Sequence, residues 1–209
     1  MPERATGLRE RNKRQKLERI TAAARALFRS QGFEETTARE ICERAGIGTG
    51  TLFLYVRDKR QLLFLTFEAD ARRLFAEGVA AAASADGLVA QLMGLFGRFT
   101  AYYARDPALS KAIVQELFFR THDPGGLGRL TREFAEHVAD LVAAAQARGE
   151  VRADLTPARA AMALFAHYTY WTLGWLGTGM LARESIEPGL QRSLELQIEG
   201  LSSAESKKR

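Results

Sequence analysis

The sequence predicts an all-α protein of about nine helices, and three features of its 209 residues support this. Apolar residues make up 46% of the chain, which is enough to build a substantial core. The chain has only five prolines and is rich in alanine, leucine, arginine and glutamate, which favour helices. Apolar residues also recur at helical spacing through most of the chain. We therefore expect neither a large β-sheet nor intrinsic disorder.

Capping and stop residues in the sequence mark where the first two helices begin and end. A helix is expected over about 10–31, because its apolar residues lie at helical spacing and Gly32 follows as a stop signal. Thr37 and Glu40 have the spacing of a capping box, which predicts the start of a second helix. That short helix is expected to end at Gly46.

The remaining helices are separated by turn residues. A third short helix is expected over 49–55, and Asp58 with Gln61 forms a second capping signal that starts a fourth helix. Aspartate, glycine and proline then separate the later segments. The expected later helices are 88–105, 107–120, 127–148, 156–181 and 187–202.

The basic residues are concentrated in the N-terminal part. Residues 1–65 hold 14 lysines and arginines against 8 aspartates and glutamates, whereas the rest of the chain holds 16 against 17. Such asymmetry is typical of a protein whose N-terminal part meets nucleic acid or an anionic membrane surface. Cys42 is the single cysteine, and the first residues lack a secretory signal pattern. We therefore expect a cytoplasmic protein without a disulfide.

The segment 36–63 has the pattern of a helix-turn-helix. Gly46 suits the sharp turn between the two helices. The apolar contacts between these helices are expected from Ile41, Ala45, Ile47 and Leu52. The residues left on the outer side, where a recognition helix meets the major groove, are Thr49, Gly50, Thr51, Leu54 and Tyr55.

This segment resembles the TetR-type transcriptional repressors. The resemblance rests on residues 32–33, 36–37, 41–47, 50–56 and 58–63, which follow the family's motifs in order and without a gap. It implies an N-terminal helix-turn-helix DNA-binding domain over 1–60. It also implies a C-terminal ligand-binding and dimerisation domain over 61–209.

The resemblance also implies which residues contact DNA. Thr37, Tyr55 and Lys59 match positions that usually hold phosphates. The positions that match residues at base edges are Thr49, Gly50, Thr51 and Leu54, and the methyl groups of threonine and leucine suit contacts to thymine.

Two features complicate this expectation. The chain departs from the family's usual residues at Gly48, Thr49, Phe53 and Val56, which weakens any inference of the operator sequence. The basic N-terminal arm, which includes Arg11, is a further candidate contact that would follow the DNA backbone or enter a minor groove.

The C-terminal half is rich in aromatic residues at helical spacing. Two aromatic helix faces could enclose a ligand pocket, which would be mostly apolar with a few polar groups. The candidate ligand-binding residues are Phe96, Phe99, Tyr103, Gln115, Phe118, His122, His167, Tyr168 and Trp171.

The resemblance implies a ligand-responsive repressor. A symmetric dimer would form through 156–181 and 187–202, and its two recognition helices would read a palindromic operator. A small, mostly hydrophobic ligand of unknown identity would release the DNA. The residues themselves suggest no catalytic site, metal site or cofactor, because the three histidines lie far apart and no catalytic motif is present.

Two alternatives remain open at this point. Residues 160–182 carry no formal charge over 23 positions, so a membrane-associated protein anchored by this segment is conceivable. Three glycines and several polar residues in the segment favour instead a helix that is buried inside the protein, which would then not associate with a membrane. The second alternative is a helical enzyme or small-molecule-binding protein whose DNA-binding head has no function.

Overall fold

The structure is a computed structural model that describes residues 3–119 and 126–201, and every regular element in these residues is helical. The α-helices are α1 (Glu3–Gln31), α2 (Ala38–Ala45), α3 (Thr49–Leu52), α4 (Lys59–Ala83), α5 (Leu88–Arg105), α6 (Pro107–Phe119), α7 (Gly126–Ala147), α8 (Pro157–Thr172) and α9 (Ile186–Leu201). The all-α prediction is confirmed.

The chain packs as two compact units, Met1–Asp70 and Ala71–Arg209. In the first unit, α1 packs against α2, and α2 packs against α3. Its fully buried large side chains are Phe28, Ile20, Ile41, Leu52, Leu62 and Leu63. These residues come from α1 to α4, so the first unit has a hydrophobic core of its own.

Arg25 fastens α1 to the beginning of α4 inside the first unit. Its guanidinium donates a hydrogen bond to the carbonyl oxygen of Thr66 and lies 3.6 Å from the Asp70 carboxylate. The pair is only partly exposed, with 32% and 16% of the two side chains accessible. A partly buried ion pair of this kind fixes the orientation of the two helices that it joins.

The second unit is built around packing between α7 and α8, between α8 and α9, and between α5 and α9. Its fully buried large side chains include Leu92, Leu95, Phe96, Ile113 and Leu164. The start of α5 is held by Glu150, whose carboxylate accepts a hydrogen bond of 2.8 Å from the Leu88 N–H. Glu150 also pairs with Arg148, so the turn after α7 caps α5.

Two helix ends differ from the prediction. α1 begins at Glu3 rather than near residue 10. Leu8 is the one large apolar residue in 3–9, so these residues carry no apolar stripe that could have revealed the longer helix. α3 ends at Leu52 rather than near residue 55, and the next residues form turns in which Tyr55 N–H donates to the Leu52 carbonyl oxygen.

The predicted helix over 156–181 is wrong at its C-terminal end. α8 stops at Thr172 and is followed by one π-helical turn, Leu173–Gly177. The chain then folds back, because Leu181 N–H donates to the Gly174 carbonyl oxygen and the Leu181 side chain covers the space beside Gly174. The uncharged segment is therefore not one continuous helix. Within 3–119 and 126–201, no helix combines the length and the apolarity needed to cross a bilayer.

Candidate nucleic-acid interface and effector site

The capping box at the start of α2 is present as predicted. Glu40 N–H donates to Thr37 Oγ1 over 3.2 Å, and Thr37 N–H donates to Glu40 Oε2 over 2.8 Å. The backbone hydrogen bond from Thr37 lowers the pKa of Glu40, so this carboxylate stays charged at neutral pH. Both residues are at the surface, and the cap fixes the direction in which α2 leaves the preceding turn.

The turn between α2 and α3 depends on Gly46. Its backbone is left-handed, with φ 64° and ψ 45°, a conformation that costs residues with a Cβ atom. Ile47 N–H donates to the Cys42 carbonyl oxygen over 3.0 Å, which closes the end of α2. With Ile41 and Leu52 buried on either side, the two helices are held in a fixed helix-turn-helix.

The predicted base-reading residues lie together on α3 and the turn after it. Thr49 and Gly50 are exposed, Thr51 and Tyr55 are half-buried, and Leu54 is 78% exposed. Phe53, which the sequence-based prediction did not include, is 55% exposed beside them. These side chains form the outward surface of the helix-turn-helix, which we name the α3 surface: Thr49, Gly50, Thr51, Phe53, Leu54 and Tyr55.

Lys59, a predicted phosphate contact, is engaged inside the unit. Its ammonium donates to the carbonyl oxygens of Phe33 and Glu34 over 2.7 and 3.0 Å. It also lies 4.5 Å from the centre of the Phe33 ring. Because an ammonium has three N–H donors, one remains for a phosphate while the other two hold the turn after α1.

Arg11 lies on α1, so the predicted basic arm is helical where the structure describes it. Its side chain is exposed, as are those of the neighbouring basic residues Lys13, Arg14 and Lys16. The contact between Arg11 and DNA stays a prediction.

Five aromatic rings from three helices form a cluster in the second unit, which we name the Phe134 cluster: Phe96, Phe99, Phe134, Phe165 and Tyr168. Phe134 on α7 lies 5.5–6.3 Å from the other four ring centres. Phe96 on α5 stacks on Tyr168 of α8 at 4.7 Å. The prediction that aromatic faces of two helices lie together agrees with this packing of α5 against α8, but Phe134, which lies at the centre, was not among the predicted ligand-binding residues.

Two buried hydroxyls lie at one edge of this cluster. Burial raises the pKa of Tyr103 to about 12, while a hydrogen bond with Tyr168 lowers it slightly. Burial and the neighbouring Tyr103 raise the pKa of Tyr168 well above its usual value. Both hydroxyls are therefore neutral at physiological pH and act as hydrogen-bond donors and acceptors.

Among the described residues of the second unit, two buried polar side-chain atoms make no hydrogen bond, and both border the Phe134 cluster. One is Thr172 Oγ1, which lies one helical turn after Tyr168 and close to the Tyr168 hydroxyl. The other is His137 Nε2, whose ring meets Phe75 edge-on at 5.9 Å. Unsatisfied buried polar atoms are costly and mark sites that a ligand can complete.

The other predicted ligand-binding residues do not all face the cluster. Trp171 Nε1 donates to Ser193 Oγ over 3.0 Å, and His167 Nε2 lies 3.3 Å from Gln197 Oε1, so both join α8 to α9. Gln115 is half-buried and Phe118 is 39% exposed on α6. His122 lies outside the described residues. Within the described part of the chain, no three histidine, cysteine or acidic side chains lie close enough to hold a metal ion.

Comparison with known proteins gives one family match. The model of the tetR family of bacterial regulatory proteins matches residues 20–65, which run from α1 into α4. A curated relative, the HTH-type transcriptional repressor KstR of Mycolicibacterium smegmatis, is 26% identical over 113 residues. That match covers 54% of this chain and 55% of KstR, so it spans about half of the relative's length.

Solved structures resemble the chain over most of its length. Thermus thermophilus FadR, a TetR family transcriptional repressor in complex with lauroyl-CoA, has a TM-score of 0.71 and is 27% identical, over 90% of this chain and 95% of that one. Bacillus subtilis FadR in complex with stearoyl-CoA has a TM-score of 0.68 and is 17% identical, over 88% and 98% of the two chains. The second likeness shows a shared fold.

Proposed function

Because the chain belongs to the tetR family of bacterial regulatory proteins, we propose that it is a transcriptional repressor that binds a palindromic operator as a homodimer and leaves it when a fatty acyl-CoA binds. The family consists of regulators, which agrees with the prediction that the chain is not an enzyme. The proposed location is the cytoplasm, where a bacterial regulator meets its operator.

The observation that carries the DNA-binding part is the α3 surface. Gly46 and the buried Leu52 hold this surface outward, so Thr49 and Leu54 are free to enter a major groove. The excess of 14 basic over 8 acidic residues in 1–65 supplies attraction to the phosphates around the groove.

The dimer is supported by exposed apolar residues on the last two helices. Met162 and Tyr170, two helical turns apart on one side of α8, are 73% and 57% exposed, and Leu196 on α9 is 61% exposed. Such residues cost free energy in water and are stabilised when a second copy covers them. A two-fold dimer would place two α3 surfaces on successive major grooves, about 34 Å apart.

The proposed effector is a long-chain acyl-CoA, as in the 27% identical FadR from Thermus thermophilus. The Phe134 cluster offers an aromatic lining for the acyl chain, and the Tyr103 and Tyr168 hydroxyls, which hydrogen-bond each other, are the polar groups that would orient the thioester carbonyl beside it. This proposal keeps the hydrophobic character that the sequence predicts. An acyl-CoA also carries the charged phosphates of coenzyme A, and these would lie outside the aromatic cluster.

The mechanism requires the acyl-CoA to bind a DNA-incompetent conformation more tightly than the DNA-bound one. By linkage, DNA must then weaken acyl-CoA binding by the same factor as acyl-CoA weakens DNA binding. The two factors can be measured separately.

The first experiment selects duplex DNA from random pools at about 150 mM salt, where nonspecific phosphate attraction is reduced. The expected result is an inverted repeat with half-sites about one helical turn apart. Retention of DNA without sequence enrichment would contradict the proposed function.

The second experiment titrates lauroyl-CoA into the complex of protein and operator, with coenzyme A and laurate as separate controls. We expect release by lauroyl-CoA alone. In Phe134→Leu, which leaves the α3 surface intact, release should need more lauroyl-CoA while the affinity for DNA stays the same. Release by none of the three compounds would remove the acyl-CoA part of the proposal and leave the DNA-binding part standing.

A further inference from the structure

A shallow groove runs along the exposed side of α1 in the first unit and reaches the beginning of α4. It has a volume of about 490 Å³. Eight of its lining residues lie on α1, from Arg14 to Arg29, and Leu65 lies on α4. Arg14 and Arg29 are about 22 Å apart along the helix axis, so the groove, which we name the α1 groove, is about four helical turns long.

The floor of the α1 groove is apolar, and half of it is alanine. Leu17, Ala26 and Leu65 are half-buried there, and Ala22 is exposed. Because alanine side chains are short, they let another chain approach the α1 backbone closely. A partner that covers such a floor removes apolar surface from water, which stabilises the complex.

The rim of the α1 groove is basic. Arg14 and Arg29 are exposed at its two ends, whereas Arg25 between them is engaged in its ion pair with α4. The lining holds one acid, Glu18, which lies 3.8 Å from Arg14 in an exposed pair that contributes little. Residues 10–31 carry seven basic residues against two acidic ones. The groove therefore attracts an acidic partner, and like charges oppose its pairing with the same groove of a second copy.

Both walls of the groove are helices, and this selects the form of the partner. The backbone groups of an α-helix pair within the helix, so α1 and α4 offer no edge to which an extended chain could add as a strand. A partner that covers the groove must satisfy its own backbone, as a helix does. DNA suits the groove less well, because its phosphates would pair with the arginines and leave the apolar floor without a partner.

We propose that the α1 groove docks an acidic amphipathic helix of a partner protein. The apolar face of that helix would lie on Ala22 and Ala26 and against Leu65, and carboxylates on its flanks would pair with Arg14 and Arg29. This inference goes beyond the proposed function, because it gives the first unit a protein partner and requires neither an operator nor an effector.

The test measures binding of a fluorescent peptide to the full chain by fluorescence anisotropy at about 150 mM salt, where attraction between distant charges is screened. The probe is a helix of about 15 residues, long enough to fill the groove, with leucines three and four residues apart on one face and glutamates beside them. A peptide of the same composition, with its leucines spread around the helix, is the matched control. We expect the probe to bind at least about tenfold more tightly than this control, because only the probe can cover the apolar floor.

Two substitutions test whether the probe lies in the groove. Ala22→Gln adds a side chain to the exposed floor without a change of charge, and it should weaken binding of the probe about tenfold. Arg14→Gln removes a charge from the rim and should weaken binding about threefold, within the range of an exposed ion pair. Lys13→Gln, the same change at the neighbouring exposed position outside the groove, is the control and should have little effect. Circular dichroism checks that each variant keeps its helices.

Three outcomes would overturn the inference. Equal binding of the probe and the control peptide would show attraction by charge alone. Unchanged binding in Ala22→Gln would place the probe elsewhere on the protein. If Arg14→Gln weakens binding of duplex DNA more than Lys13→Gln does, and leaves binding of the probe unchanged, the rim contacts phosphates rather than a protein.

Discussion

The Lys59 ammonium lies 2.7 Å from the Phe33 carbonyl oxygen and 4.5 Å from the centre of the Phe33 ring. One cation therefore holds both the backbone and the side chain of the turn after α1. Phe33 in turn meets Phe28 of the core edge-on at 5.2 Å, so the contact links the start of α4 to the core of the first unit.

Replacing Lys59 by alanine should therefore destabilise the first unit as well as weaken DNA binding. Loss of the charged hydrogen bonds and the cation–π contact should cost about 1–2 kcal/mol. Hydrogen exchange at the Gly46 and Ile47 amides reports the local unfolding of this unit. Lys13→Ala, at an exposed position of α1, is the control and should change stability by less than about 0.5 kcal/mol. Unchanged exchange in Lys59→Ala would mean that Lys59 acts on DNA alone.

Glu150 should contribute to the stability of the second unit in a pH-dependent way. Its pKa is lowered chiefly by the hydrogen bond from Arg148, with a further contribution from the Leu88 N–H. Glu150→Gln should cost about 1 kcal/mol at pH 7, at the low end for a charged hydrogen bond because 30% of the side chain is exposed. Urea unfolding, monitored by the fluorescence of Trp171 and Trp175, measures the loss in the free energy of unfolding.

The sign of the pH effect follows from the lowered pKa. The stabilisation is present above the unfolded pKa of about 4.3 and is lost as the pH falls through the lower folded pKa. The difference between wild type and Glu150→Gln should thus shrink on acidification. Asp154→Asn is the control, because Asp154 pairs with Arg152 on the surface without capping a helix. Equal effects of the two substitutions would contradict the capping role of Glu150.

Gly189 should tolerate no side chain. A Cβ atom there would lie 2.1 Å from the Trp171 ring, so Gly189→Ala should push α9 away from α8 and cost about 1–3 kcal/mol. Gly200→Ala, in the same helix with nothing within 4 Å, should be neutral or slightly stabilising. The two midpoints of thermal unfolding give the comparison, and equal midpoints would show that the ring can move aside without cost.

The unsatisfied atoms His137 Nε2 and Thr172 Oγ1 should lower stability in the absence of an effector. His137→Phe and Thr172→Val should each raise the free energy of unfolding by about 1 kcal/mol, because an apolar group replaces an unpaired buried polar atom. If these atoms also contact the effector, the same variants should need more lauroyl-CoA to release DNA. A loss of stability in Thr172→Val would show that its hydroxyl is satisfied.

The proposed dimer should be sensitive to charge on its apolar residues. Tyr170→Glu and Leu196→Glu should shift the protein towards monomers in sedimentation velocity, because each places a carboxylate in the interface. Gln191→Arg, an added charge at another exposed position of α9, is the control and should leave the dimer intact. Sedimentation of Tyr170→Glu as an unchanged dimer would require a different interface.

Local signals made the helix-turn-helix predictable from the sequence. The Thr37 capping box, the glycine at 46 and the apolar spacing act over a few residues, so they can be read directly from neighbouring positions. Contacts between side chains and residues far away in the sequence cannot be read in this way. The carbonyl partners of Lys59 lie 25 and 26 residues away, and no local pattern reveals them.

The Phe134 cluster was less predictable because it is assembled by tertiary packing. The spacing of Phe96, Tyr168 and Trp171 identifies helix faces, but it does not tell which face meets α7 and which meets α9. Phe134 and His137 were therefore left out of the predicted residues, and Trp171, which was included, bonds to Ser193 of α9, so its role in a ligand site stays a prediction. Phe134 and His137 lie on one face of α7, beside the buried Val138 and Val142, and this apolar spacing was the signal that could have identified them.

The open surroundings of Gly46 have an evolutionary consequence. A Cβ atom at this position would meet no atom within 4 Å, so the cost of replacing glycine lies in its left-handed backbone alone. No neighbour can relieve that cost by becoming smaller. Among descendants of this protein, position 46 should vary independently of every other position and admit little beyond asparagine, whereas positions 171 and 189 should covary.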